Sequence, residues 1–317
     1  MIESFPVVFS HGGVPLAGRF YRNSSALNLR QPTVIVTGSW LTVQDQMPAL
    51  YAERLAALGF TAFTFDFSGF GRSGGAPRQV EMPSRKIDEI IAAADFVSTL
   101  SFVSDGGVGH LGICASAQYA VAAIARGARI RSFVSVAGWF HDASSVADFY
   151  GGAAGVATRI ARSARASERF LASGEVEMVP AYEAGNHDAG MFLPMDYYEN
   201  PKRGAIPAWR NEFSPMSWPH WLAFDGLRAV PVASQAQVPS LFVHSDGCVF
   251  PSVLRQVAER MNGELLWLEG RQVDFYDQPT LVIRAVEAAR VHFERTLSGP
   301  PARLSSAKPQ LSQPLLG

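Results

Sequence analysis

Cysteine is scarce in this chain, with only Cys114 and Cys248 among 317 residues. That excludes a disulfide-built scaffold, and the plain reading is two buried, reduced thiols of a cytosolic protein. One bond between them would be unusual with no secretory signal in view. The start, MIESFPVVFSHGG, offers neither a cationic n-region nor an apolar h-region. Uninterrupted apolar runs long enough to cross a bilayer are missing as well. The expectation is a soluble, cytoplasmic protein. An excess of either charge is also lacking, since 27 Lys and Arg face 28 Asp and Glu. With no basic block, nucleic acid and membrane are set aside as main partners, whereas a small-molecule substrate is not. Nothing in the pattern repeats, and nothing speaks to oligomeric state.

What is present is a chain 48% hydrophobic and 17% charged, long enough for two average domains or for one α/β domain with an insertion. PVVFS and VPLAGRFYRN read as antiparallel strands around the turn His11-Gly12-Gly13. TVIVTG (33–38) is a β-branched run of the kind buried on both faces. Helical spacing follows over 48–59, where Gly59 stops it. TAFTFDF, a helix over 87–100, GGVGHLGI, a helix over 117–126 and RSFVSVAGW continue the alternation. Such alternation implies a mostly parallel sheet with helices on both faces.

The alternation breaks after Asp142 and resumes only at SLFVHSD (240–246), followed by a helix over 253–261, GELLWLEG and a helix over 281–297. An aperiodic loop of that length is implausible in a compact domain, so 143–237 is expected to be an inserted helical cap. Residues 1–142 and 238–298 then form the core, and the Pro- and Ser-rich stretch 299–317 reads as a disordered tail.

The stretch GHLGICASAQYA (109–120) carries the chemistry. It has the form of a nucleophile elbow, a sharp strand-to-helix turn with one exposed reactive residue, for which small neighbours are needed. Gly112, Ala115, Ser116 and Ala117 meet that need. Its string is G-x-C-x-S, with Cys114 where serine is usual and Ser116 where glycine is usual. The competing reading is a structural turn holding a buried thiol. A helix amino terminus favours negative charge, so a thiolate is expected to form there without a strong base. VTGSW (36–40) follows a central strand, where this architecture places one oxyanion-hole donor. The amides of Ser39 and Ala115 are the expected donors, with Trp40 and Trp139 walling the substrate pocket. DFSGFGRSGG (66–75) lacks the Lys-Ser/Thr ending of a phosphate loop and reads as a structural turn.

Together with VAGWFHD, NPKRGAIPAWRNEFSPMSW and GRQVDFYDQP, these segments resemble the α/β-hydrolase fold. More narrowly they are similar to a bacterial branch of uncharacterised hydrolases near the dienelactone-hydrolase-like and Xaa-Pro-peptidase-like groups. The resemblance spans roughly residues 5–298. It implies Cys114 as nucleophile and Asp246 as the acid. The family's histidine position holds Gln272, which has no proton to exchange near neutral pH.

Three explanations compete. Another histidine acts as base, with His141 foremost and Asp142 beside it, ahead of His187 and His244. Alternatively, Cys114 works with no dedicated base, which favours acyl transfer or cyclisation over hydrolysis. In the third, covalent chemistry has been lost. The aromatic group Trp209, Phe213, Trp218, Trp221 and Phe224 is expected to pack an insertion, with one or two members lining a pocket. The His-Asp pairs at 141–142 and 187–188 are too sparse for a metal site, and no cofactor is implied. The expected function is an acyl hydrolase or acyltransferase acting on an ester, thioester or lactone. The alternative is a non-hydrolytic protein of the same fold that binds, cyclises or eliminates.

Overall fold

The computed structural model describes residues 1–297, so the tail read as disordered lies outside the described residues. β1 (Ile2–His11) and β2 (Val14–Asn23) pair as a hairpin. Its two-residue turn, Gly12-Gly13, has both φ angles positive, the twist that matches flanking strands. β3 (Gln31–Thr37), α1 (Met47–Ala57), β4 (Thr61–Phe65), α2 (Pro83–Ser98), β5 (Val103–Ile113), α3 (Ala115–Ala125) and β6 (Ser132–Val136) then alternate. Gly59 closes α1 in the left-handed conformation (φ 98°), as its place in the sequence implied.

Between β6 and the next strand lie α4 (Ala143–Phe149), α5 (Gly152–Ser173), α6 (Trp218–Leu222) and α7 (Val230–Gln235). The alternation resumes with β7 (Ser240–His244), α8 (Pro251–Arg260), β8 (Glu264–Trp267), α9 (Asp274–Asp277) and α10 (Pro279–Thr296). All eight strands make one sheet in the order β1-β2-β4-β3-β5-β6-β7-β8. β1–β2 and β2–β4 are antiparallel, and every other pairing is parallel. β4, β6 and β7 are buried at every residue, as expected of strands covered on both faces. No described helix is long and apolar enough to cross a membrane.

One long element had no signature in the sequence. α5 runs for 22 residues yet buries only Arg159, Ser163 and Ala166. Its inner face carries Val156, Ala166 and Phe170 beside the polar Arg159 and Ser163. The Arg159 guanidinium donates to the carbonyls of Tyr150 and His187 at 3.0 and 3.1 Å and lies over the Tyr150 and Trp218 rings. The turn after β4 is structural, as expected. Asp66 accepts from the amides of Gln44 and Arg72 at 2.8 and 2.9 Å, and a Cβ at Gly71 would lie 2.3 Å from its carboxylate.

A buried charge cluster ties this turn to the insertion. Glu81 accepts from Lys86 Nζ at 2.7 Å and from the Tyr119 hydroxyl at 2.8 Å, while its amide donates to Ser217 Oγ at 2.8 Å. Lys86 lies over the rings of Phe67 and Phe70. Removing one partner of a buried pair strands the other charge, which costs more than the pair contributes. Lys86→Met should therefore lower stability by about 3–5 kcal/mol, read as a fall in the urea midpoint at unchanged m. Adding Glu81→Gln, which neutralises the stranded carboxylate, should recover much of that loss.

Candidate active site

Cys114 sits between β5 and α3 at φ 57° and ψ −123°, a backbone region that a residue with a side chain rarely adopts. Its neighbours hold it there. The Cys114 amide donates to Val136 O at 3.1 Å, and its carbonyl accepts from Trp139 N at 3.0 Å. At Gly112 a Cβ would stand 2.9 Å from Ala117 Cα, so only glycine lets strand and helix approach this closely. Ser116, at the usual glycine position, is accommodated by hydrogen bonds. Its hydroxyl accepts from Ile113 N at 3.1 Å and donates to Thr37 O at 2.9 Å, tying the turn to β3.

The thiol is fully buried, and that burial pushes its pKa up. Four donors oppose the rise: the hydroxyls of Ser39 and Tyr276 and the amides of Ala115 and Trp40. Burial outweighs them, so Cys114 rests as a thiol. The expected resting thiolate is thereby corrected, because desolvation of a buried anion exceeds the field of one helix terminus. Sequence reasoning named the amides of Ser39 and Ala115 as oxyanion donors; the groups that act to lower the thiol's pKa are the amides of Trp40 and Ala115 and the hydroxyls of Ser39 and Tyr276.

A cavity of about 280 Å³ opens over the thiol. Trp40 and Trp139 wall it from the loops after β3 and β6, and the segment between β6 and β7 adds Phe149, Tyr150, Trp221 and the run Gly190–Met195. Of the five clustered aromatics, only Trp221 is among the described residues lining it. Trp209 instead donates its indole N–H to Leu41 O at 2.8 Å, which holds the insertion onto the loop after β3.

No histidine and no carboxylate is among the described residues lining this cavity. Asp246 is not brought to it: its side chain is 79% exposed and meets only Arg255, at 3.5 Å. His141 is not brought to it either. Wholly buried, it accepts at Nδ1 from the Trp139 indole N–H at 2.6 Å and faces Trp221 O through Nε2 at 3.1 Å. Burial pushes its pKa down to about 4, so it is a neutral support for Trp139. Asp142 caps α4 by accepting from Ser145 N at 2.8 Å and does not orient His141. His187 is exposed against the Phe192 ring, and His244 is buried in β7 beside Trp267, its pKa also pushed down to about 4.

Gln272 does lie in the cavity wall, and it is fully engaged. Its Nε2 donates to Ala137 O at 2.7 Å and to the Tyr276 hydroxyl at 3.2 Å, while Oε1 accepts from Val249 N at 3.1 Å. Reversing the amide would set oxygen against oxygen and N–H against N–H, so the network fixes its orientation. Tyr276 and Tyr198 both reach Ser39 Oγ at 3.2 Å, which completes a cluster of three hydroxyls beside the sulfur. Neither tyrosine was singled out from the sequence, although Gln272 and Tyr276 stand four residues apart, the spacing of one helical turn. Cys248 also lines the cavity, its thiol bonded to Ser245 Oγ at 3.2 Å and pushed up to about 12 by burial.

Two outcomes follow. Iodoacetamide labelling of Cys114, mapped by peptide mass, should accelerate only at a pH above that of an ordinary free thiol; a midpoint near neutrality would contradict a buried resting thiol. Gln272→His should raise ester hydrolysis by no more than about tenfold, against the 10²–10⁴-fold of a positioned base, since no carboxylate among the described lining residues stands ready to orient the ring. Release of p-nitrophenol from short esters measures this.

No family model matches the chain. It is 27% identical over 277 residues to the uncharacterised protein YcjY of Escherichia coli K12, covering 80% of this chain and 85% of that one. Over 124 residues it is 34% identical to the polyketide transferase claH of Penicillium crustosum, an alignment spanning 39% of this chain and 40% of that protein. The crystal structure of the α/β hydrolase GrgF from Penicillium sp. sh18 superposes with a TM-score of 0.76 at 19% identity, covering 93% of this chain and 99% of the other. With the parallel sheet and the β5–α3 turn already described, these likenesses identify the fold as that of the α/β hydrolases.

Proposed function

We propose that the protein is an acyltransferase whose nucleophile is Cys114. The sulfur attacks the carbonyl of an activated acyl donor, and the amides of Trp40 and Ala115 hold the oxyanion that develops. Residues 143–237 act as a cap, and their Phe149, Met191, Phe192 and Met195 supply the wall against which an apolar acyl chain packs. The observation that carries this reading is the strained turn at Cys114, set under an apolar cavity with two amides converging on the sulfur. Such strain persists where surrounding packing enforces it, and it clusters at functional sites.

Transfer is favoured over hydrolysis by the same cavity wall. Water must lose a proton to attack a thioester, and a positioned base supplies about 10²–10⁴-fold for that step. With Gln272 bonded on three sides and no histidine or carboxylate among the described lining residues, an acyl-Cys114 intermediate outlives encounters with water. It then passes to a stronger nucleophile from a second substrate or from the acyl chain itself. The polyketide transferase relative is consistent with acyl chemistry of this kind.

A second reading, non-covalent binding or elimination, rests on the full engagement of Gln272. Intact-protein mass spectrometry with N-acetylcysteamine thioesters separates the two. An acyl adduct on the wild type that is absent from Cys114→Ala, and that decays slowly in buffer but fast with an added thiol or amine, is the expected result. Equal turnover by Cys114→Ala, with no adduct on either protein, would exclude covalent catalysis.

A further inference from the structure

A buried thiol that attacks a carbonyl must lose its proton, and no imidazole or carboxylate to take it is among the described residues lining this cavity. The hydroxyl cluster accounts for the proton by a simple count. Gln272 Nε2 donates to the Tyr276 oxygen, and the Tyr198 hydroxyl donates to Ser39 Oγ. Ser39 and Tyr276 therefore hold two protons of their own, and their mutual bond at 3.2 Å uses one. With Tyr276 as the donor of that bond, the Ser39 proton is left to face the sulfur and the Tyr276 oxygen keeps one lone pair for the thiol proton. Tyr150 also lines the wall, and its oxygen accepts from the Trp221 indole N–H at 3.2 Å. Tyr198 is committed to Ser39, Arg271 is paired with Asp274 at 2.9 Å, and Cys248 is bonded to Ser245.

We propose that Tyr276 is the proton carrier of this site and that Gln272 is the residue that positions it. The proposal rests on the Cys114 acyl-enzyme reading. As the Cys114 sulfur–carbon bond forms, the thiol proton moves to the Tyr276 oxygen. In the same event Tyr276 turns its own proton from Ser39 to the departing group, which takes the electron pair of the breaking bond and leaves neutral. Tyr276 ends as it began, and no external base takes part. Burial and the neighbouring thiol hold the phenol far from ionisation, so it acts as a neutral hydroxyl that gives and takes together. Gln272 fits this role better than an empty site would. Tethered to Ala137 O and Val249 N, it aims one N–H at the phenol oxygen, which fixes the ring's hydroxyl and leaves one lone pair to the thiol.

The proposal makes the pH profile the decisive observable. Acylation of Cys114 by an octanoyl N-acetylcysteamine thioester would be timed by intact mass from about pH 6 to about pH 9 in wild type, Tyr276→Phe, Ser39→Ala and Gln272→Met. With the relay, wild type should acylate at a rate that changes little across this range. Tyr276→Phe, which keeps the ring, should be slower by about 10²-fold near neutrality and should gain about tenfold per pH unit, because only preformed thiolate then reacts. Gln272→Met should show the same steepening to a smaller extent at an unchanged melting temperature. A Tyr276→Phe deficit equal at every pH, or a wild-type profile in that variant, overturns the relay. So does a pH-steepened loss confined to Ser39→Ala. If wild type itself takes no label on Cys114, the acyl-enzyme reading has failed first, a result plainly different from the others.

Discussion

The centre of this molecule is organised by one constraint, a side-chain-bearing residue held in left-handed backbone at the tip of β5. Cys114 stays at φ 57° because its surroundings over-determine it. Val136 and Trp139 take both of its backbone groups, Gly112 lets α3 approach, and Ser116 ties the turn across to Thr37. From that turn the sulfur projects toward the amino end of α3 and under the three tryptophans of the cavity wall. The loops after β3 and β6 are packed on the turn in their working positions. Loosening it would disperse the amides of Trp40 and Ala115 as well as the thiol.

The same packing sets the protonation state of the thiol. A helix terminus contributes about 0.3–1 kcal/mol toward a nearby anion, with about 2 kcal/mol in favourable buried cases. Full burial moves ionisable groups by as much as 3–5 pKa units, each worth about 1.4 kcal/mol. Burial wins, and Cys114 is raised rather than lowered. In the proposed acylation, reactivity then depends on hydrogen-bond donors near the sulfur. Those donors are the two amides and the hydroxyls of Ser39 and Tyr276, held in turn by Tyr198 and Gln272.

Much of the framework was legible in the sequence, since periodicity and turn chemistry are local. The hairpin turn at Gly12-Gly13, the end of α1 at Gly59 and the buried runs of β3, β4, β6 and β7 could each be read from a few adjacent residues. α5 could not, because its inner face mixes Arg159 and Ser163 with Val156, Ala166 and Phe170. The site divides in the same way. Cys114, Trp40, Trp139 and Gln272 were found from motif positions, and all four line the cavity. Asp246 and His141 were named for their place along the chain. Their side chains point to solvent and into the core, because rotation about a strand end or a loop is decided by what packs beside it.

By itself, then, the sequence determined the alternating α/β architecture and the small-residue turn that presents a cysteine. These rest on spacing and on residue types that permit few backbone conformations. Only the tertiary structure decided that the thiol is protonated at rest and that the cavity wall presents neither imidazole nor carboxylate among its described residues. It alone joined Ser39, Tyr198 and Tyr276, which are separated by as many as 237 residues along the chain. Desolvation and hydrogen-bond geometry depend on which groups meet in space, and no local pattern records that.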